Sequence, residues 1–507
     1  MKTKHLGQFR NVTTDAYSFR LTVLSTLVIS VLALFGNISA QAQTSHPKTA
    51  TLQERAPQTP HVYELPNQGP PTTFVLVQGN GFDPVTVIDV YFDSTKLAST
   101  TTDKNGAFGN GVVTATGATF VRIQVPATAL PGEHTITAQE RVGQESAQIA
   151  FLVRTDSTQF RFDAQHTGFN PYENVLNSTD VGNLVVDWQY TAGSYVYSSP
   201  SVANGIVYVG SYDYNLYALN AVTGALIWKH PTGGVITSSP AVANGVVYVA
   251  STDGNLYALN ASNGSLIWEY PMGSDSDSSP MVTNGIVYIG SSDGTAYAFN
   301  AATGALQWAY ATGAWIEASP AAANGAVYFA SEGGVVYSFN GATGALLWQS
   351  TMGYRFDNGP AVAKGIVYLG STGDGIVYAI NADTGALIWK YPTAASIFSS
   401  PAVANGVVYV GSQDYNLYAL NANTGALLWK YTTGADVASS PIVANGVVYV
   451  GSFDDNLYAF DADTGTLLWL YTTGGSPIVS SPAVADGVVY VGSELASGIY
   501  AFHLPSQ

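Results

Sequence analysis

From about residue 190 onward the chain repeats one pattern of apolar and polar positions. Residues 238–268 show it: a Ser-Ser-Pro entry, the apolar triplet Ala241-Val242-Ala243, an Asn244-Gly245 pair and the run 246–250. A second turn at Asp253-Gly254, the run 256–259, a third turn at Asn263-Gly264 and then Trp268 complete the unit. Asn-Gly between apolar runs suits a tight hairpin, because both central turn positions need positive φ. Pro240 can open the innermost strand, since the first residue of a strand need not donate to the ladder. Each unit therefore predicts four short antiparallel strands, and no helical periodicity competes with them.

Counting the units predicts the architecture. Trp188, Trp228, Trp268, Trp308, Trp348, Trp389, Trp429 and Trp469 stand 40 residues apart, with one spacing of 41. Strand-opening prolines recur at Pro200, Pro240, Pro280, Pro320, Pro360, Pro401, Pro441 and Pro482. The last unit offers strands at 481–484, 488–492 and 499–503 but no Trp strand, and residues 184–188, ahead of the first Pro, can supply it. A period near 40 with four strands per repeat predicts an all-β, eight-bladed β-propeller over residues 183–507, closed by its N-terminal strand.

The run Ala218-x-Asn220-x-x-Thr223-Gly224-x-x-x-Trp228 resembles the tryptophan-docking motif of the pyrroloquinoline quinone (PQQ)-type propeller repeat. The resemblance runs from about residue 160 to the end and implies that the eight ladder tryptophans pack blade against blade. It speaks to fold more than to function, since the motif does not itself hold a cofactor. The enzymes of this family imply Ca²⁺-bound PQQ, a catalytic Asp, a Trp platform and, in the alcohol-oxidising branch, a vicinal Cys pair. This chain has no Cys, its blades are minimal, and the family's Glu, Asn and Asp set finds no match. No cofactor is expected, with PQQ and Ca²⁺ kept as the alternative.

The N-terminal third reads differently. Lys2, Lys4, Arg10 and Arg20 precede an apolar run at 21–35 and the small-x-small pattern Ala40-Gln41-Ala42, so residues 1–42 read as a secretory signal peptide. The apolar run is short for a membrane span, and without Cys there is no lipoprotein anchor. Residues 43–72, rich in Pro, Thr and Gln, read as a disordered linker. Strand-like runs at 74–77, 79–82, 87–92, 103–108, 121–125, 131–136 and 149–153 predict a small sandwich over 73–154. That pattern resembles the immunoglobulin-like IPT/TIG domain of bacterial surface proteins, which implies a spacing or adhesive role. Residues 155–182 then form a leader into the propeller, where His166 and Glu173 are expected to pack.

Composition limits the partners. Among 507 residues 47% are hydrophobic, 10% are charged, and the formal net charge is −17. An acidic surface repels phosphate backbones, so nucleic acid is not expected as a partner. Candidate chemistry lies where the copies disagree, because positions common to every blade serve what every blade needs. Three residues ahead of each strand-opening Pro stand Tyr197, Thr237, Asp277, Glu317, Asp357, Phe398, Ala438 and Val479. Asp277, Glu317 and Asp357 are thus rim carboxylates on successive blades, a patch that a hard cation such as Ca²⁺ would suit, with solvated acids as the competing reading. Arg355, the one Arg in the propeller, and Trp315, the one propeller Trp outside the ladder, fall beside them. With Tyr197, Tyr195 and Tyr354 they make a candidate ligand-binding mouth.

The expected function is that of an exported bacterial protein, secreted or at the cell surface, and periplasmic where two membranes exist. It is read as a monomeric, non-catalytic propeller that binds or scaffolds an extracellular or envelope protein or glycan. The alternatives are a PQQ/Ca-dependent quinoprotein dehydrogenase and a polysaccharide hydrolase or lyase using Glu317 with Asp277 or Asp357.

Overall fold

The computed structural model describes residues 59–109, 112–113, 119–495 and 498–505. The expected signal peptide and residues 43–58 of the expected linker lie outside them. The remainder of that linker corrects the sequence reading, because it is built into a sheet. Strand β1 (His61–Leu65) pairs antiparallel with β3 (Phe74–Asn80), and β2 (Gln68–Gly69) lies parallel to β9 (Ser146–Val153). Pro60 and Pro66 punctuate β1, and its face alternation is weak because most of its residues are at least partly exposed. That made a strand look like a linker.

Between them run β4 (Val87–Phe92), β5 (Thr95–Thr101), β6 (Val112–Val113), β7 (Thr119–Gln124) and β8 (Gly132–Glu140). The sheets β1-β3-β7-β6 and β2-β9-β8-β4-β5 enclose one core of Val75, Val77, Ile88, Val90, Phe92, Ile136 and Phe151. Two sequence assignments change here. Residues 103–108 are mostly a turn, with Phe108 bridging Gly79, and the largely solvated strand β5 brings only Leu97 and Ala98 to the core, too few to announce it.

Among the described residues the propeller has eight blades. In blade 2 the strands are Ala241–Ala243, Val246–Ala250, Asn255–Asn260 and Leu266–Pro271, each antiparallel to the next. Blade 8 consists of Ala483–Ala485, Val488–Gly492 and Gly498–His503, and its outer strand is Val185–Thr191 from the N-terminal side. Closure by the N-terminal strand removes the open edge that a ring of sheets would otherwise present.

Blades adhere through the repeated Trp. The Trp228 indole N–H and the Tyr208 hydroxyl both donate to the Ala261 carbonyl of the next blade, at 3.0 and 2.9 Å. The ring lies over Gly264, where φ is +70° and an added Cβ would stand 2.6 Å from the indole. Glycine is required there on both counts. The same indole-to-carbonyl bond recurs around the ring, from Trp188 to Ala221 through to Trp469, which donates to Leu184.

The leader does more than enter the ring. An innermost strand has a neighbour on one edge only, so its other N–H groups face the channel and need acceptors. Residues 157–168 supply them in succession. Val202, Val242, Ala322, Val362, Val403 and Val443 donate to the carbonyls of Ser157, Thr158, Ala164, Gln165, Thr167 and Gly168 at 2.7 to 2.8 Å. Val282 donates to Gln159 Oε1 at 3.1 Å, and Asn170 Nδ2 donates to the Val484 carbonyl at 2.9 Å. The segment thus bonds to the innermost strand of every blade, accepting from seven and donating to the eighth, and it fills the channel from within.

Candidate functional site

On the mouth side of that plug lies a cup of about 280 Å³. Its floor includes Phe160 from the leader, and its wall includes Ser199, Ser239, Ser279, Ser319, Ser400, Ser440 and Ser481 from the Ser-Ser-Pro entries. These serines form a belt. All but Ser319 donate a backbone N–H to the next blade's Oγ at 2.9 to 3.0 Å, and Ser481 closes the circle onto Ser199. The belt has one gap. Blade 5 has Gly359, which donates to Ser400 Oγ but offers Ser319 no hydroxyl, and a Cβ there would meet the Ser319 carbonyl at 2.7 Å. Its neighbour Asn358 reaches the carbonyls of Gly370 and Ile397.

Above the belt the wall is divided. Tyr197, Phe398 and Val479 make one part, and Thr237, Asp277, Glu317 and Asp357 the other. The structure gathers a carboxylate trio, but not the one expected. Glu317, Glu332 and Asp357 bring carboxylate oxygens within 4.8 Å of one another. Asp277 does not join them; it faces solvent and accepts from Thr237 Oγ1 at 2.5 Å. Glu332 comes from a turn between second and third strands, held to the mouth by its N–H bond to the Trp315 carbonyl at 2.9 Å. Its position varies among the copies, as Tyr212, Thr252, Ser292, Thr372, Gln413, Phe453 and Glu494, so the sequence marked it only as variable.

The trio already contains a cation. Arg355 Nε meets Asp357 Oδ1 at 2.5 Å, and Nη2 lies 2.6 Å from Glu332 and 3.6 Å from Glu317. The contact to Glu332 is a charge pair set too far off axis to be a hydrogen bond. One guanidinium cannot neutralise three carboxylates. Burial, then the charges of Glu332, Asp277 and Asp357, push the Glu317 carboxyl up to about 7 against the pull of Arg355. Burial also raises Glu332, while the hydrogen bond to Asp357 raises Arg355. A Ca²⁺ at Asp277, Glu317 and Asp357, one of the two readings of that patch, would therefore meet a different donor set, with a side chain already supplying positive charge.

The remaining predicted residues lie around this mouth. Tyr197 donates to Glu494 Oε1 at 2.6 Å, and burial and that bond raise its hydroxyl pKa. Tyr195, Tyr197 and Tyr212 form an aromatic group with centroids 4.8 to 6.3 Å apart. Trp315 is 54% exposed and Tyr354 51%, too open for the sandwich that holds a planar cofactor.

Of the leader residues, Arg161 went unread, and His166, expected to pack, is packed but unsatisfied. Arg161 is fully enclosed, its guanidinium donating to the Pro401 and Pro441 carbonyls, and burial lowers its pKa to about 9. His166 is buried without a partner for either ring nitrogen, and burial, helped by Arg161, holds its pKa down to about 3. Glu173, by contrast, is satisfied by the N–H groups of Val175, Leu176 and Gly487.

A family model described as "Outer membrane protein assembly factor BamB", of PQQ-like repeats, matches overlapping stretches that together span residues 174–504. The chain belongs to this PQQ-like repeat family. No curated protein matches it by sequence. Solved structures share the fold. BamB from Moraxella catarrhalis is 18% identical with a TM-score of 0.55, covering 63% of this chain and 99% of that one. Quinohemoprotein alcohol dehydrogenase from Comamonas testosteroni is 17% identical with a TM-score of 0.61, covering 70% and 81%. The computationally designed Ika8 protein is 18% identical with a TM-score of 0.55, covering 62% and 97%. At such identities the likeness is one of fold, and a single family fold spans these differently named proteins.

PQQ can be tested against the mouth by charge. It is a polycarboxylate and asks for cationic partners. The cup wall has no Lys or Arg among its described lining residues, and Arg355 beside it is already engaged by three carboxylates. The residues present do not fit the cofactor.

Proposed function

We propose that this chain is an exported, non-catalytic propeller that binds or scaffolds an extracellular or cell-envelope protein or glycan, with the mouth as its binding face and the N-terminal sandwich as an IPT/TIG-like spacer. One observation carries the reading: a cup that is acidic on one side and apolar on the other has exposed Phe398 in its wall, with exposed Trp315 and Tyr354 two and three residues along the chain from its acids Glu317 and Asp357. Flat exposed rings beside hydrogen-bonding acids suit sugar faces and protein side chains alike. Membership of the repeat family and the fold likeness to BamB support a scaffold role by analogy.

A hydrolytic reading retains one specific support, since Glu317 at about 7 has the pKa a general acid needs. Its nearest candidate partner, Asp357, is held by Arg355. Two titrations decide among these readings. Calorimetry with PQQ, with and without Ca²⁺, is expected to give no saturable heat; a one-to-one signal lost in a triple Ala variant at Asp277, Glu317 and Asp357 would revive the quinoprotein alternative. A glycan array is expected to show retention without turnover, and chain cleavage abolished by Glu317→Gln would replace binding with hydrolysis.

A further inference from the structure

A second acidic site lies in the N-terminal sandwich, apart from the propeller mouth. Asp83, in the turn between β3 and β4, Glu140, at the end of β8, and Glu145, just before β9, bring carboxylate oxygens within 4.8 Å of one another. Acidic clusters at a surface are ordinary, but this one is anchored inside. Glu140 is only 3% exposed. Its Oε1 accepts from the Asp83 N–H at 2.9 Å, while its Oε2 is buried with no partner. Glu145 has a buried Oε2 in the same condition. Among the described residues no Lys, Arg or His forms an ion pair with any of the three; the nearby Arg141 is committed to Asp89.

Buried carboxylate oxygens without donors are costly, and three carboxylates together compound the cost by repulsion. Either a proton or a cation has to resolve the arrangement. The backbone is shaped around it: a side chain at Gly143 would stand 2.0 Å from Glu140 Oε2, and the turn is closed by the Glu140 N–H bond to the Glu145 carbonyl at 3.0 Å.

We propose that Asp83, Glu140 and Glu145 hold one calcium ion. The donor set is oxygen only, which suits a hard cation, and the exposed side at Asp83 leaves room for waters to complete six to eight ligands. Mg²⁺ demands a tighter octahedron than two separate turns readily give, and Zn²⁺ prefers nitrogen or sulfur. The ion would fasten the β3–β4 turn, where the chain leaves one sheet, to the β8–β9 turn of the other. This inference is independent of what the propeller binds.

The test uses the full chain, stripped with a chelator and titrated calorimetrically with CaCl₂, together with hydrogen exchange of a peptide spanning 138–147. The expected result is one Ca²⁺ per chain and at least tenfold slower exchange in that peptide. Binding weakens at least tenfold in Glu145→Gln and in the exposed-site variant Asp83→Asn, and is unchanged in the propeller variant Glu332→Gln. No calcium-dependent heat or protection in the wild-type chain overturns the proposal. So does binding that Glu145→Gln and Asp83→Asn leave intact while Glu332→Gln removes it.

Discussion

The two sides of the central channel solve opposite problems with the same repeated strands. Inside, the leader meets like needs from blade to blade, and one winding segment takes the inner-strand N–H of six blades on backbone carbonyls and of a seventh on the Gln159 side chain. At the mouth the equivalent positions are Tyr, Thr, Asp, Glu, Asp, Phe, Ala and Val, and they gather into an acidic side around Arg355 and an apolar side around Phe398. Where blades are alike the chain is closing itself. Where they differ it presents a surface.

The comparison breaks most severely at Gly168. Its φ is +59°, and a Cβ would lie 2.3 Å from the Arg161 guanidinium. Gly168→Ala is expected to destabilise the propeller by about 2–3 kcal/mol, seen as a lower urea midpoint for a Trp fluorescence transition. A midpoint equal to wild type would mean that the leader adds nothing to closure.

His166 gives a smaller effect with a definite sign. Its folded pKa is depressed to about 3 from about 6.5 in the unfolded chain. Its neutral form is therefore no burden above pH 6.5, and stability is lost as pH falls from there toward 3. By pH 5 the loss from this one residue is about 2 kcal/mol. His166→Phe, which keeps the aromatic contact with Phe160, is expected to flatten the dependence of the denaturation midpoint between pH 7 and 5.

At the mouth the sign reverses. Glu317 is raised to about 7, so wild-type stability falls as pH rises from about 4.5 to 7, while the unfolded chain ionises first. Solvent at the rim screens the effect to about 1 kcal/mol or less. Glu317→Gln is expected to remove that slope in melts at pH 5 and pH 8; a steeper slope would mean that Glu317 is a net stabilising partner of Arg355.

The blades were legible because their turn residues, β-branched runs and Trp ladder recur eight times, so each copy checks the others. Residues 184–188 could be assigned to the last blade because one unit lacked a strand. β1 and β5 were not legible, since strands with little buried face carry no strong alternation. The Ser belt and leader depend on contacts between residues about 40 or several hundred positions apart, which no local pattern encodes. In the mouth, irregularity singled out Trp315 and also Glu317, Asp357 and Arg355, which the structure brings together. It placed Asp277 in a trio that Glu332 occupies, because which acids converge depends on how a turn in blade 4 leans on Trp315.

Removing Trp315 and Tyr354 is expected to change stability least, by about 0.5 kcal/mol or less, since both are exposed, and it bears most directly on function. The decisive measurement is biolayer interferometry of a panel of envelope glycans and envelope proteins against the wild-type chain, the double variant Trp315→Ala with Tyr354→Ala, and the outer-strand variant Leu347→Ser. The account predicts at least one panel member whose affinity falls tenfold or more in the mouth variant and stays unchanged in the outer-strand variant. Binding that survives loss of both mouth aromatics, or that disappears with Leu347, would contradict it.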